Sequence, residues 1–219
     1  MTAQPLVVFG GTFDPPHLGH QQVIVGLRST LRLPLMVIPN GHPVHRRTPS
    51  ASPEDRLRMA QLMVQEVGDP LVSVSDVEVG RPGPSYTSDT LARLLDGDPE
   101  RTLLLAVGSD AARSLWRWHR PDLVAELARL VVFDRPGARI GAGAAVEELK
   151  GHGWLGREPE LVSLTAPEVE ASRVRARLRR GEVAEGLLAA PVLRYIRERG
   201  LYRESAPAAP VADGIIAPR

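Results

Sequence analysis

Six short runs of apolar, largely β-branched residues punctuate the chain: Leu6–Phe9, Leu35–Ile38, Val72–Val79, Thr102–Val107, Leu130–Phe133 and Leu161–Leu164. Between most of them, apolar residues recur at helical spacing instead. This alternation constrains the fold more than anything else in the sequence. A strand, a helix and a further strand in the same sheet need a crossover, and crossovers build parallel sheets covered on both faces. The expected class is α/β, with a doubly wound, largely parallel sheet. Helices are expected over His17–Leu31, from Pro53 onward, and over Ser88–Leu95, Pro121–Arg129, Ala144–Lys150, Ser172–Arg180 and Pro191–Arg199. Ser52-Pro53-Glu54-Asp55 reads as an N-cap, a proline at the first helical position and acidic first-turn residues. Gly181 and Gly200 fit the position just past a helix end. The residues from Ser205 to Arg219 are rich in alanine and proline without periodicity, so one domain over 1–204 and a flexible tail over 205–219 are expected. Arg81–Pro84 and Asn40–Ser52 are the expected mobile loops.

The chemistry concentrates at the first junction. Leu6-Val7-Val8-Phe9 runs into Gly10-Gly11-Thr12-Phe13-Asp14-Pro15-Pro16-His17-Leu18-Gly19-His20. A buried strand ends in a glycine pair, turns, and restarts as a helix carrying two histidines in its first turn. In an open parallel sheet, ligands bind beyond the carboxyl ends of the strands. Gly10 and Gly11 permit close backbone approach and a positive φ where one is needed. His17 and His20, three residues apart, share one helix face. Backbone N–H groups, a helix N-terminus and two imidazoles in one small volume suit an anion, above all a nucleotide phosphate. G-x-G-x-x-G and G-x-x-x-x-G-K-[ST] are both absent, which disfavours a dinucleotide-dependent dehydrogenase and a P-loop enzyme. A His17/His20 metal site lacks a third ligand nearby in sequence, so no protein metal site is expected.

Composition excludes other classes. With no cysteine, disulfides and Cys-ligated zinc are out. A net charge of +1 argues against a nucleic-acid binder. No apolar run reaches membrane-spanning length and Met1–Pro5 does not read as a signal peptide, so a cytoplasmic protein without membrane contact is expected. Lys150 is the only lysine, so any phosphate clamp must use arginine, histidine or backbone.

The first motif resembles that of the (T/H)xGH nucleotidyltransferase superfamily and, more closely, that of the bacterial nicotinate-nucleotide adenylyltransferases. Further segments match in order: Pro39-Asn40-Gly41-His42-Pro43-Val44-His45-Arg46, Ser85-Tyr86-Thr87-Ser88-Asp89-Thr90-Leu91, and Gly108-Ser109-Asp110 followed by Leu115, Trp118 and His119. Arg135-Pro136-Gly137 and the run from Pro191 to Tyr202 complete the match, which covers roughly residues 5–203. The resemblance implies adenylyl transfer from ATP to nicotinate mononucleotide, giving deamido-NAD and pyrophosphate, on a Rossmann-like fold. Mg²⁺ would be held mainly by the ATP phosphates. The alternatives within the superfamily are preference for nicotinamide mononucleotide and a different acceptor such as phosphopantetheine. Outside catalysis, the alternative is a nucleotide-binding sensor. Self-association is common in such enzymes, so a homo-oligomer is kept as an option.

Residue roles follow the matched positions. His17 and His20 are the implied catalytic pair. Gly10, Gly11, Thr12, Phe13, Arg46, Gly108, Asp110, Arg135, Ser172 and Arg175 join them on the ATP side. Thr12, Thr87, Asp89 and Trp118 fall on the mononucleotide side. For several residues a structural role competes: Asp110 as a helix N-cap, Trp118 as core, Arg46 as a solvated loop residue, Arg135 as a partner of Asp134, and Asp89 as a helix-start carboxylate. One departure stands out. The family's late motif Ile-Ser-Ser-Thr/Ser-x-Ile-Arg aligns with Val169-Glu170-Ala171-Ser172-Arg173-Val174-Arg175. The last hydroxyl and the arginine remain, but a carboxylate replaces a serine where a triphosphate is expected.

Overall fold

In a computed structural model, residues 4–44, 48–134, 140–154, 156–164 and 167–203 are described. Six strands, β1 (Leu6–Gly11), β2 (Leu35–Pro39), β3 (Val72–Val74), β4 (Leu103–Gly108), β5 (Ala128–Asp134) and β6 (Glu160–Ser163), form one sheet. Its order is β3-β2-β1-β4-β5-β6 and every pairing is parallel. This is the doubly wound order of a Rossmann-like sheet, and the chain reverses direction across the sheet between β1 and β4. The helices are α1 (Leu18–Leu31), α2 (Pro53–Val67), α3 (Thr87–Asp96), α4 (Ser109–Ala112), α5 (Pro121–Leu127), α6 (Ala142–Gly151), α7 (Ala171–Arg179) and α8 (Ala190–Arg199).

The two-residue period of β1 divides the core. Val7 and Phe9 face one side, with Val23, Ile24 and Leu27 of α1, Met59 and Met63 of α2, Val174 of α7 and Ile196 of α8. Leu6 and Val8 face the other, with Leu91 of α3, Val124 of α5 and Val146 and Leu149 of α6. Over β1 both faces are therefore dry, as a parallel sheet requires, whereas only Val162 of the edge strand β6 is buried.

Local signals set the helix ends as expected. Ser52 caps α2, its hydroxyl accepting from the Asp55 N–H at 3.1 Å, with Pro53 following. Gly200 closes α8 at φ 62° and Gly181 follows α7 at φ 68°.

Two expectations are corrected. The run Val72–Val79 stays extended only through Val74. Beyond it, Ser75 accepts from the Val77 N–H and the Gly80 N–H bonds to the Asp76 carbonyl, so local polar bonds fold the segment into a turn. The helix expected over Pro121–Arg129 ends at Leu127, because Ala128 and Arg129 pair with Leu103 and Leu104 as the start of β5. The short α4 and a 3₁₀ turn at Leu115–Arg117 were not expected; both are too short to show a period. The expected tail, 205–219, lies outside the described residues.

Candidate functional site

β1 and β4 are neighbours at the switch point, so the chain leaving Gly11 and the chain leaving Gly108 open onto one crevice. The β1–α1 turn is tightly built. A Cβ on Gly11 would stand 3.0 Å from the Phe13 ring, so glycine there makes room for that ring. The left-handed residue of the turn is Phe13, at φ 50°, rather than either glycine. Phe13 is buried and packs edge-on against Phe9 and His20, with centroids at 5.8 and 4.9 Å. Its side chain is thus a support under the turn, and only its backbone can meet a ligand.

His17 is the N-cap of α1 and His20 sits in its first turn. Their rings stack with centroids 3.7 Å apart and planes 30° off parallel. The His17 backbone N–H donates to Nδ1 of His20 at 3.2 Å. Nδ1 of His20 is therefore an acceptor, which leaves its proton on Nε2. Gly19 holds the pair in place: a Cβ there would stand 3.0 Å from the His17 ring and 3.2 Å from the Pro167 carbonyl oxygen. Part of the N-terminal N–H set is spent within the protein, Leu18 donating to the Leu187 carbonyl and His20 to that of His17. Side-chain imidazoles therefore carry more of any anion recognition than the helix end alone.

Asp14, given no role by its motif, is a buried hub. Its carboxylate accepts from the Ser50 N–H at 2.8 Å, the Ala51 N–H at 3.1 Å and the Tyr202 hydroxyl at 2.7 Å. Nη1 of Arg175 donates to the Asp14 carbonyl at 2.6 Å and lies 3.7 Å from its carboxylate. So Arg175, assigned to ATP from sequence, sits at the first turn despite 161 residues of separation. Burial, and then the Asp14 charge and hydrogen bond, push the Tyr202 phenol well above its ordinary range.

Arg56 is a second hub and is fully buried. It donates to the carbonyls of Thr12 (2.9 Å), Gly41 (2.7 Å), Ala51 (3.3 Å) and Asn40. Burial pulls its pKa below the ordinary arginine value; the Asp14 charge leads the opposing causes, with Tyr202, Glu54 and Glu78 behind it. The sequence did carry a signal for it. Arg56 stands three and four residues before Met59 and Ala60, on the buried stripe of α2.

Of the residues the resemblance gives to the mononucleotide, Thr87 opens α3 and Asp89 lies in its first turn. Ser85 just before it clamps the loop after β2: its hydroxyl accepts the N–H groups of Gly41 and His42 at 2.9 and 3.1 Å. Tyr86 stacks on His119 with centroids 4.0 Å apart. Trp118 is half-buried and packs against the second core cluster. Gly108 is the N-cap of α4; Asp110 is exposed within that helix and makes no cap bond, which removes the capping role. The Ser172 hydroxyl is engaged locally, donating to the Glu170 carboxylate at 3.2 Å. Arg173 pairs with the same carboxylate at 3.4 Å. Arg46 and Arg135 lie outside the described residues. Among the described residues, no three His, Cys, Asp or Glu side chains group as a metal site, and no helix is long and apolar enough to cross a membrane.

The cytidylyltransferase-like family matches residues 8–177. The "Probable nicotinate-nucleotide adenylyltransferase" of Sodalis glossinidius (strain morsitans) is 35% identical, over 93% of this chain and 100% of its own length. The protein of the same name in Chromohalobacter salexigens is 38% identical, over 90% of this chain and 95% of its own. Among solved structures, the nicotinic acid mononucleotide adenylyltransferase of Plasmodium falciparum complexed with NaAD superposes with a TM-score of 0.73. It covers 91% of this chain and 98% of its own at 15% identity, a likeness of fold. Sequence identity sustained along nearly the whole chain, together with the stacked histidines at the switch-point crevice, makes this chain a member of the nicotinate-nucleotide adenylyltransferase family, nucleotidyltransferases of NAD biosynthesis on a Rossmann-like fold.

Proposed function

We propose that this chain joins ATP and nicotinate mononucleotide through the residues of the switch-point crevice. The observation that carries this reading is the stacked His17–His20 pair at the end of β1, with Nδ1 of His20 occupied by a backbone N–H. A phosphate oxygen of the mononucleotide attacks the α-phosphorus of ATP. The bond from that phosphorus to the β-phosphate bridging oxygen breaks, and pyrophosphate leaves with the electron pair. The attacking oxygen is already anionic, so no general base is needed. The protein's work is alignment and charge neutralisation. Nε2–H of His20 donates to the phosphates, and His17 holds the ring that does so. Gly10, Gly11 and Thr12 offer backbone approach, and Arg175 adds positive charge from beside Asp14. Asp110, exposed beyond β4, takes the ribose hydroxyls. Trp118 stacks on the pyridine ring, and Thr87 reads its carboxylate.

The donors at the turn are N–H groups and imidazoles, which suit phosphate rather than a hard cation. Mg²⁺ would therefore be held by the ATP phosphates and water rather than by these residues, and would supply charge neutralisation for the leaving pyrophosphate. The Tyr202–Asp14 bond supports a single unit that reaches from the first turn to Tyr202.

The test is pyrophosphate release from ATP and Mg²⁺ with nicotinate mononucleotide, and in parallel with nicotinamide mononucleotide. Nicotinate is the expected substrate. His17→Ala and His20→Ala are each expected to lower turnover about a hundredfold or more, the scale of losing one preorganised donor. Full turnover in both variants would refute the roles assigned to the two histidines, and release with the amide alone would refute the substrate.

A further inference from the structure

Arg56 binds more backbone carbonyls than any other side chain among the described residues. Its four acceptors belong to three separate segments. Thr12 follows β1, Asn40 and Gly41 follow β2, and Ala51 precedes the α2 cap. Without it, several carbonyl groups at the carboxyl edge of the sheet would be buried without donors, which costs more than an ordinary hydrogen bond returns. Only a guanidinium has enough N–H groups in a fixed planar fork to serve them together.

The hydrogen-bonded path continues past Arg56. Gly41 is bonded on both sides of its peptide frame, its carbonyl to Arg56 and its N–H to the Ser85 hydroxyl. Ser85 in turn donates its own N–H to the His42 carbonyl at 2.9 Å. Glu78 accepts from the Asn40 amide at 2.9 Å and from the Thr90 hydroxyl on α3 at 2.8 Å. A Cβ on Gly41 would sit 2.2 Å from the Glu78 carbonyl oxygen, so these segments are in close contact. The path thus runs from the turn at Thr12, which the resemblance gives to both nucleotides, to Ser85, two residues before Thr87 on the mononucleotide side.

We propose that Arg56 is a positioning residue for adenylyl transfer. Its guanidinium locks the carbonyl ends of β1 and β2 into one frame and so sets the spacing between the two substrate half-sites. This role rests on the proposed function and its two half-sites. In-line attack is sensitive to that spacing, since a misplacement of about 1 Å costs roughly a hundredfold in rate.

The experiment uses the full chain with Arg56→Lys and Arg56→Ala. Each is assayed for kcat, for both KM values, for the dissociation constants of ATP and nicotinate mononucleotide, and for melting temperature. Arg56→Lys is expected to stay folded at the assay temperature, to bind each nucleotide singly with near wild-type affinity, and to lose about a hundredfold in kcat. In Arg56→Ala, low-millimolar guanidinium is expected to restore kcat where sodium chloride at equal ionic strength does not. Wild-type kcat in Arg56→Lys would overturn the proposal. So would a kcat loss that merely tracks loss of both affinities or of the fold, with no recovery on adding guanidinium. A wild-type protein that releases no pyrophosphate would instead refute the functional reading, and the positioning role with it.

Discussion

Tyr202→Phe isolates a single long-range bond between the end of the described chain and the first turn. The phenol donates to Oδ1 of Asp14 at 2.7 Å and is only 8% exposed. Phenylalanine keeps the ring, so no cavity opens and the cost is the hydrogen bond alone. A bond to a charged group contributes about 1.5–3 kcal/mol. Asp14 keeps the Ser50 and Ala51 N–H groups and Arg175, so it is not orphaned. The expected loss is therefore about 2 kcal/mol at pH 7, or roughly 4–8 °C in Tm for a chain of this size. The pH dependence is distinctive. Burial and Asp14 raise the folded-state pKa of Tyr202 above its unfolded value. Its contribution is therefore complete below about pH 10 and falls at higher pH, because the unfolded chain then releases a proton that the folded one keeps. The slope is at most about 1.4 kcal/mol per pH unit, so the wild-type advantage should vanish by about pH 11.5. Tyr195, whose pKa is also raised, is present in both proteins and cancels. Urea denaturation of both proteins from pH 7 to pH 11.5 measures the difference directly. A difference under about 0.5 kcal/mol at pH 7, or one that does not shrink above pH 10, would refute the reasoning.

Three further variants test other parts of the chain. Trp118→Ala should raise KM for the mononucleotide about tenfold, the scale of one lost aromatic stack, and leave KM for ATP nearly unchanged; equal effects on both would mark the indole as packing alone. Gly41→Ala should cost about 2–3 kcal/mol or more, because its Cβ would meet the Glu78 carbonyl oxygen at 2.2 Å and backbone cannot swing aside. Gly143→Ala, where a Cβ on α6 meets nothing within 4 Å, should be neutral or stabilising by up to about 1 kcal/mol. Thermal denaturation of the two variants side by side decides it, and a Gly41→Ala protein as stable as wild type would sink the steric explanation.

The alternation of β-branched runs and helical periods was enough for the class of fold, since each strand buried on both faces must read as a continuous apolar run. It also located the first turn, because glycines, prolines and histidines at a strand-to-helix junction act through local backbone geometry. Short elements escaped: α4 has four residues, fewer than two helical turns. The strand from Val72 broke off just past the Ser75 N–H bond to Val37, where the Ser75 hydroxyl and the Asp76 carbonyl take the N–H groups of Val77 and Gly80. Asp110 looked like a cap on local grounds, and only the placement of Gly108 as the N-cap removed that role.

What sequence could not reach were the hubs. Asp14, Arg56 and Tyr202 gain meaning only from partners up to 188 residues away. The apolar stripe of α2 marked Arg56 as inward, yet nothing in it names Thr12, Gly41 and Ala51 as acceptors. The chain by itself determined which segments become strands, where the glycine–histidine turn lies and which family it joins, because those follow from local propensity and motif. Tertiary structure alone decided how the segments around that turn are held in register, because the buried polar groups there have partners far away in sequence.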